Sequence, residues 1–432
     1  MKHVILKTHR DKLMIEATVR RFGPLSRVAI HDLTHLEHSL ISRHVRQLLD
    51  EGKLLEAGRA ENPMGRKQVL LRLNEEQGYV VGIGFDDEDV LASVMNLHPK
   101  VKLTVRERTH LDEGIDGLIS QLVSCAQEAI RQASIHPSSV IGVGLVGSGL
   151  VDTRSGDFVM SSTIDFLKDV PLQRIFEERL GYPTLIENLT RAKTVAERML
   201  GAGALAEDMI YVEYGRTGIG AGIILGGKLV HGSGSAAGEL GHTHVMPDGP
   251  ACNCGSFGCL EAIAGAAALE SKVRRAIAEG SSSGALALAG GDITRITGWT
   301  VLEAARMDDK TCTAIVEQAG NYLGLGLANL VNLFNPSMLV LDQRLSFAGD
   351  SLLEQVIKVV RRQALRHSTR HLAIRFAQLG NEASVLGAAS IVLERHFEIP
   401  ILKPPRFMTE PVPIPASAHA HAHVKVVHAD RP

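Results

Sequence analysis

No apolar run long enough to cross a bilayer occurs in the 432 residues. The opening segment, MKHVILKTHRDK, also lacks the apolar core of a secretory signal, so a cytoplasmic chain with no membrane partner is expected. Cysteine is scarce, five in all, and three of the five crowd into residues 252–259. In a reducing compartment such clustered thiols bind metal sooner than they pair. Net charge is nearly absent at −2, while 45% apolar and 22% charged residues exclude a disordered chain. The length exceeds one ordinary core and implies two or three domains.

The near-neutral average hides an asymmetry. Residues 1–72 carry fourteen Lys/Arg against eight Asp/Glu, a net of +6, so the other 360 residues carry about −8. A basic end on an acidic body suggests a nucleic-acid-binding module joined to something else. In residues 11–22, Leu13, Ile15, Ala17 and Val19 fit a helix that Gly23-Pro24 ends. Ser26 is placed to cap a helix from Arg27 to about Leu33. A second helix, Glu37 to Asp50, puts Leu40, Ile41, Val45, Leu48 and Leu49 inward and stops at Gly52. Two strand-like runs, KLLEAGR and QVLLRLN, follow around the loop AENPMGRK. Three helices then a hairpin is the order of a winged helix-turn-helix. Its second helix leaves Ser39, Ser42, Arg43, His44 and Arg46 outward, residue types suited to phosphates and base edges. At the wing tip, Gly65, Arg66 and Lys67 could reach a minor groove. The plainer reading is a helical domain whose polar face binds protein; helix spacing, wing and charge sign together favour DNA.

From about Gln77 strands and helices alternate, with helical patterns at Leu118–Gln132 and Ala262–Glu279. A strand–turn–strand unit occurs twice, as GYVVGIGFDDEDVLASVMNL and as DMIYVEYGRTGIGAGIILGGKLV. Such a repeat suggests two related α/β lobes around a cleft, where small molecules commonly bind. The glycines 215, 218, 220 and 222 suit a tight hairpin as well as they suit an anion, and both readings stand.

The stretch GELGHTHVMPDGPACNCGSFGCLEA, residues 238–262, is more specific. His242, Cys252, Cys254 and Cys259 form one imidazole and three thiolates, the closed set that structural zinc prefers. His244 competes for the nitrogen position.

GELGH followed by CNCGSFGCLE resembles the signature of the ROK family, which groups sugar-responsive bacterial repressors with sugar kinases. VIGVGLVGSGLVD, LKDVPLQRIFEERLGYPTLIEN, GRTGIGAGIILGGKLVHGSGSAAGELGH, NLVNLFNPSMLVLD and VLGAA agree in order along residues 11–396. The N-terminal blocks, GPLSR, LISRHVRQLLDEGKLLEAG and GRKQVLLRLN, are similar to the winged helix of the repressor branch. The resemblance implies an α/β chain: a winged helix-turn-helix followed by a two-lobed, actin-like (sugar kinase/Hsp70-like) ROK fold. The expected domains are 1–75 for DNA binding and 76–190 for the first lobe, joined by a helix near 382–396. Residues 191–381 are then the second lobe with the metal loop 238–262, and 399–432 a disordered tail. The resemblance further implies zinc on His242, Cys252, Cys254 and Cys259, and sugar hydroxyls on Gly149, Asn188, Glu239, His242 and Glu261. A homodimer or dimer of dimers would bind operator DNA and a sugar or sugar-phosphate effector.

Three departures separate this sequence from the family's kinases. Their glycine-rich phosphate turn is replaced by Asp86-Asp87-Glu88-Asp89, which would repel a triphosphate. Their catalytic aspartate after Glu-Asn is replaced by Leu189, which cannot take a proton. Their adenosine-side glycines are replaced by Asp342-Gln343-Arg344. The expectation is a non-enzymatic, sugar-responsive regulator, with a sugar kinase bearing an added DNA-binding domain as one alternative. Thr163 and Leu167 stand where the family often has Asn and Trp, which leaves room for a second alternative, control by a docked protein. Loop 280–298 reads as an exposed glycine- and serine-rich insert.

Overall fold

The computed structural model describes residues 2–60, 68–204, 206–216, 218–398 and 426–428. Helix α1 (Lys2–Phe22) runs up to Gly23-Pro24, and β1 (Leu25–Ser26) follows. The Ser26 hydroxyl accepts the Ala29 N–H at 3.2 Å and so starts α2 (Arg27–Thr34). His35, in the left-handed region at φ 56°, closes that helix, and α3 (His38–Asp50) begins after Glu37. Strands β2 (Leu54–Arg59) and β3 (Val69–Leu73) complete a small antiparallel sheet in the order β1-β3-β2. Ile15, Val19, Leu25, Ile30, Ile41, Val45, Leu48, Leu54 and Leu71 are among the buried residues of these helices and strands. The three helices and the hairpin come in the expected order, with α1 beginning at Lys2 instead of near residue 11.

Beyond the head come β4 (Tyr79–Phe85), β5 (Asp89–Asn96), β6 (Val101–Arg108), α4 (Gly114–Gln132) and β7 (Val140–Gly147). Next are β8 (Gly149–Asp152), β9 (Asp157–Ser161), β10 (Lys168–Val170), α5 (Leu172–Leu180), β11 (Thr184–Asn188) and α6 (Leu189–Leu200). A second α/β series follows with β12 (Met209–Tyr214), β13 (Ile219–Leu225) and β14 (Lys228–Leu229). Its helices are α7 (Leu260–Ala264), α8 (Ala266–Ala278), α9 (Gly284–Leu288), α10 (Gly298–Arg306) and α11 (Lys310–Phe334). The chain ends with β15 (Met338–Leu341), α12 (Asp350–Gln363), α13 (Arg366–Thr369), β16 (Ala373–Phe376), α14 (Ala383–His396) and β17 (Val426–His428).

Both repeated sequence units form the expected hairpins. β4 and β5 pair antiparallel with Tyr79 opposite Asn96, and β12 and β13 pair with Met209 opposite Ile224. Around them the sheets run β11-β7-β4-β5-β6-β17 and β14-β13-β12-β15-β16, with β12, β15 and β16 parallel. Contacts gather the chain into two compact units. The first comprises residues 1–145, 174–185 and 388–432; the second comprises 146–173 and 186–387. Among the described residues no helix is long and apolar enough to cross a membrane.

Two expectations change. Loop 280–298 is not a simple exposed insert: it holds α9, and Ala285 and Ile296 are fully buried in the second unit's core. In the tail expected to be disordered, Val426–His428 pair parallel with β6, Val426 opposite Thr104, because β6 otherwise leaves an open sheet edge. The rest of that tail lies outside the described residues.

Small residues set the closest helix approach. A Cβ on Gly387 of α14 would stand 2.1 Å from the Ala192 carbonyl oxygen of α6, so Gly387→Ala forces the two helices apart. Urea unfolding of that variant is expected to show a loss of about 2 kcal/mol or more. An unchanged midpoint would mean the helices are not held at this spacing.

Candidate functional site

On α3, Ser39, Ser42, Arg43 and Arg46 are exposed, as a reading helix requires. His44 is not: it is 1% exposed, with Nδ1 3.3 Å from Gln47 Oε1. His44 joins Ile41, Val45 and Leu48 at helical i, i+3, i+4, i+7 spacing, so it belongs to the buried stripe and leaves the DNA-reading set. Leu40 and Leu49, expected inside, are half-buried. Gly65, Arg66 and Lys67 of the wing lie outside the described residues.

In the second unit, the metal-ligand candidates converge. A ring nitrogen of His242 and the sulfurs of Cys252, Cys254 and Cys259 all lie within 4.8 Å of one another. Cys252 Sγ is 3.6 Å from His242 Nδ1, and Cys254 Sγ is 3.8 Å from Cys259 Sγ. A tetrahedron with metal–sulfur bonds of about 2.3 Å has edges of about 3.8 Å, so the donor set fits an ion of that size. The same separation is far too long for a disulfide. The loop supports it: the Cys252 N–H donates to the Ser256 carbonyl at 2.8 Å, and the Leu260 N–H to the Thr243 carbonyl at 3.0 Å. His244 points elsewhere, with Nε2 2.9 Å from Ser256 Oγ, which decides the nitrogen position for His242. The remaining cysteines, Cys125 and Cys312, are buried, and burial pushes their thiols up to about 12 and about 11. Burial thus favours their neutral thiol form.

Glu239 precedes the short 3-10 turn Leu240–His242, and Glu261 sits in the first turn of α7 directly after Cys259. The Ile219 N–H donates to Glu261 Oε2 at 3.1 Å. A Cβ on Gly218 would come within 2.1 Å of that oxygen, so the glycine-rich turn serves as a hairpin closing on Glu261. Gly215 N–H donates to the Gly218 carbonyl at 2.8 Å across that hairpin. Burial pushes the Glu261 carboxyl up, against the Ile219 N–H and the His242 ring, with Glu239 adding like-charge repulsion. The Asn188 amide donates from Nδ2 to the Gly149 carbonyl at 2.7 Å, while Oδ1 accepts the Arg191 N–H at 3.2 Å and caps α6. Asn188 and Gly149 therefore meet, and so do Glu239, His242 and Glu261.

Sequence reasoning missed the group that anchors Asn188. Glu187, immediately before it, is buried and accepts from Arg191 Nε, from the His231 ring and from the Asn188 N–H, each at 2.7 Å. Burial would raise its carboxyl, but His231 and Arg191 hold it below the ordinary carboxylate range. Arg191 also donates to the Ser235 carbonyl at 2.8 Å. The signal was present in Glu-Asn and in His231-Gly232, within blocks already quoted.

The three departures have structural form. Leu189 opens α6 as a half-buried apolar side chain. In the 86–89 turn, Asp86 Oδ1 accepts the N–H groups of Glu88 at 2.8 Å and Asp89 at 2.9 Å, and Asp89 pairs with Arg106. After β15, Asp342 and Arg344 join a buried network. Lys193 Nζ lies 2.9 and 3.0 Å from the two Glu213 carboxylate oxygens, and Tyr211 donates to Asp342 at 3.0 Å. Arg344 donates to Asp342 at 2.8 and 2.7 Å, pairs with Glu213, and lies over the Trp299 ring. Burial pushes the Asp342 carboxyl up, yet Arg344 and Lys193 drive it far below the usual range.

The sequence profile of the ROK family matches residues 90–395. The xylose repressor of Caldicellulosiruptor bescii is 28% identical over 92% of this chain and 98% of its own length. A ROK family transcriptional regulator, a homolog of the E. coli MLC protein, superposes with a TM-score of 0.79 over 90% of this chain and 96% of that one at 23% identity. The ROK hexokinase of Thermus thermophilus, 32% identical, superposes with a TM-score of 0.61 over 72% of this chain and 97% of that one.

The metal cluster carries a direct prediction. Cys254→Ser removes one of four donors, and bound metal measured by plasma mass spectrometry is expected to fall from near one ion per chain to a small fraction. The thermal midpoint should fall with it. Equal metal content in both proteins would remove Cys254 from the ligand set.

Proposed function

Since the chain belongs to the ROK family, we propose that it is a sugar-responsive repressor whose body binds a sugar without phosphorylating it. The observation that carries this is coverage joined to chemistry. The repressor relative spans 92% of the chain, the hexokinase 72%, and the three-helix head with its small sheet accounts for the N-terminal residues by which the chain exceeds a kinase. Leu189 then stands where proton removal would be needed, and the Lys193–Glu213–Asp342–Arg344 network stands on the nucleotide side.

In this reading, residues 1–75 form the DNA-binding domain, 76–190 and 191–381 the two lobes. Ser39, Ser42, Arg43 and Arg46 contact operator DNA, with Gly65, Arg66 and Lys67 as the wing. His242, Cys252, Cys254 and Cys259 would hold zinc, whose chemistry is structural: a closed donor set keeps no position for water. The sugar is held by Gly149, Asn188, Glu239, His242 and Glu261. Asn188 retains one N–H and one lone pair beyond its bonds to Gly149 and Arg191, and Glu261 retains Oε1, so both still have capacity for hydroxyls. The protein acts as a cytoplasmic homodimer, its two heads reading two half-sites. Ligand binding shifts the population of heads off the operator, and a tenfold loss of affinity requires a differential of only about 1.4 kcal/mol.

The test uses a duplex selected from a randomised pool by the full chain. Affinity is measured at fixed salt against pentoses, hexoses and their phosphates, because phosphate contacts make it salt-dependent. One sugar is expected to weaken binding about tenfold or more, and Glu261→Gln to blunt that response while leaving sugar-free DNA binding intact. A panel without effect overturns the sensor reading. Independently, coupled assay of ADP release should find no turnover in the wild type. Leu189→Asp is expected to stay inactive as well, because it restores a base while the nucleotide side remains filled. ADP release by the wild type would make the protein a kinase.

A further inference from the structure

A run of positive charge without acidic residues lies outside the N-terminal head. Residues 355–381 contain six Lys/Arg and no Asp/Glu, within a body whose net charge is negative. Lys358, Arg361 and Arg362 share one face of α12 at i, i+3, i+4 spacing, Arg366 opens α13, Arg370 closes it, and Arg375 lies on β16. All six are exposed, and among the described residues none of their side chains has an ion-pair or hydrogen-bond partner. The dipole of α12 accounts for Arg361 and Arg362 in its last turn. It does not account for the other four.

Apolar surface lies among these cations. Leu365, between α12 and α13, is 66% exposed, and its N–H donates to Asn332 Oδ1 at 2.8 Å. The next residue, Leu333, is 75% exposed at the end of α11. Gln363 also borders a hollow lined by Val245, Met246, Pro247 and Leu325. We propose that this face of the second unit docks an acidic protein surface bearing exposed apolar side chains. Two features coincide: guanidinium groups with no ionic partner among the described residues, which favour carboxylates in paired geometry, and exposed leucines that water solvates poorly. A phosphate backbone would satisfy the arginines and gain nothing from Leu333 or Leu365, so the leucines favour a protein over nucleic acid. Arginine-rich rims around an apolar centre speed encounter and select partners by charge. The inference does not depend on a sugar being the effector.

The test pans a random peptide display library on the full chain, with counter-selection on the triple variant Arg362→Glu, Arg366→Glu, Arg370→Glu. Trp299 emission and the thermal midpoint establish that the variant is folded. The selected peptides are expected to combine Asp/Glu with large apolar residues. Synthetic copies should bind the wild type about tenfold or more tightly than the triple variant, and Leu365→Ser should weaken them about threefold. Absence of such peptides, or equal binding to both proteins, overturns the proposal. It is also overturned if the triple substitution lowers affinity for non-specific duplex DNA, which makes the face a nucleic-acid contact. Dissociation of a wild-type dimer by that substitution in sedimentation velocity would make the face a self-interface and overturn it too.

Discussion

The Glu187 carboxylate is the tie on which the candidate ligand site depends. It is buried, so its charge must be balanced within the protein, and three donors do so from two parts of the chain. Arg191 and the Asn188 N–H come from the start of α6, and the His231 ring comes from the segment after β14. The same Arg191 reaches the Ser235 carbonyl, so one guanidinium fixes the path of residues 231–235 toward Glu239. Removing Arg191 would leave a buried carboxylate without its guanidinium partner, a far larger penalty than losing a surface ion pair. Asn188 inherits its position from this arrangement, because its own Oδ1 caps α6 by accepting the Arg191 N–H.

The candidate metal cluster would add a second restraint. A loop rich in glycine and proline has little cohesion of its own, and its backbone bonds are local. Four donors closing on one ion would fix the residues beside them: Glu239 three residues before His242, and Glu261 two residues after Cys259. The Ile219 N–H then holds one oxygen of Glu261 in place. Position, not reactivity, is what such a closed cluster would supply to the residues beside it.

The sequence was legible where one local rule decides. Ser26 as a cap, the two hairpin units and the His/Cys set each follow from residue type at fixed spacing, and the structure has them. His44 was misplaced because a polar residue type outweighed its i, i+3, i+4 position on the apolar stripe of α3. The burial of Ala285 and Ile296 was hidden by the glycine and serine around them, since composition describes a segment and not the two residues it packs. Glu187 was passed over for a different reason: its partners lie 4 and 44 residues away, and only folding brings His231 to it. The β17 pairing depends on an open sheet edge, which no local pattern in the tail announces.

Non-local charge also explains how the segment after β15 carries bulky charged residues without losing the fold. The sequence shows that Asp342, Gln343 and Arg344 bring bulk and charge after β15. It does not show that Lys193 and Glu213 are there to meet them. Two carboxylates and two cations, with the Tyr211 hydroxyl, form a neutral set in which each charge has an opposite neighbour. A single acidic substitution at such a buried position would be strongly destabilising, whereas the complete set offsets its own desolvation. Side chains that compensate one another in this way hold their volume at little cost to the surrounding core. The second unit thereby accommodates two carboxylates and two cations beside β15 without disturbing the sheet they pack on.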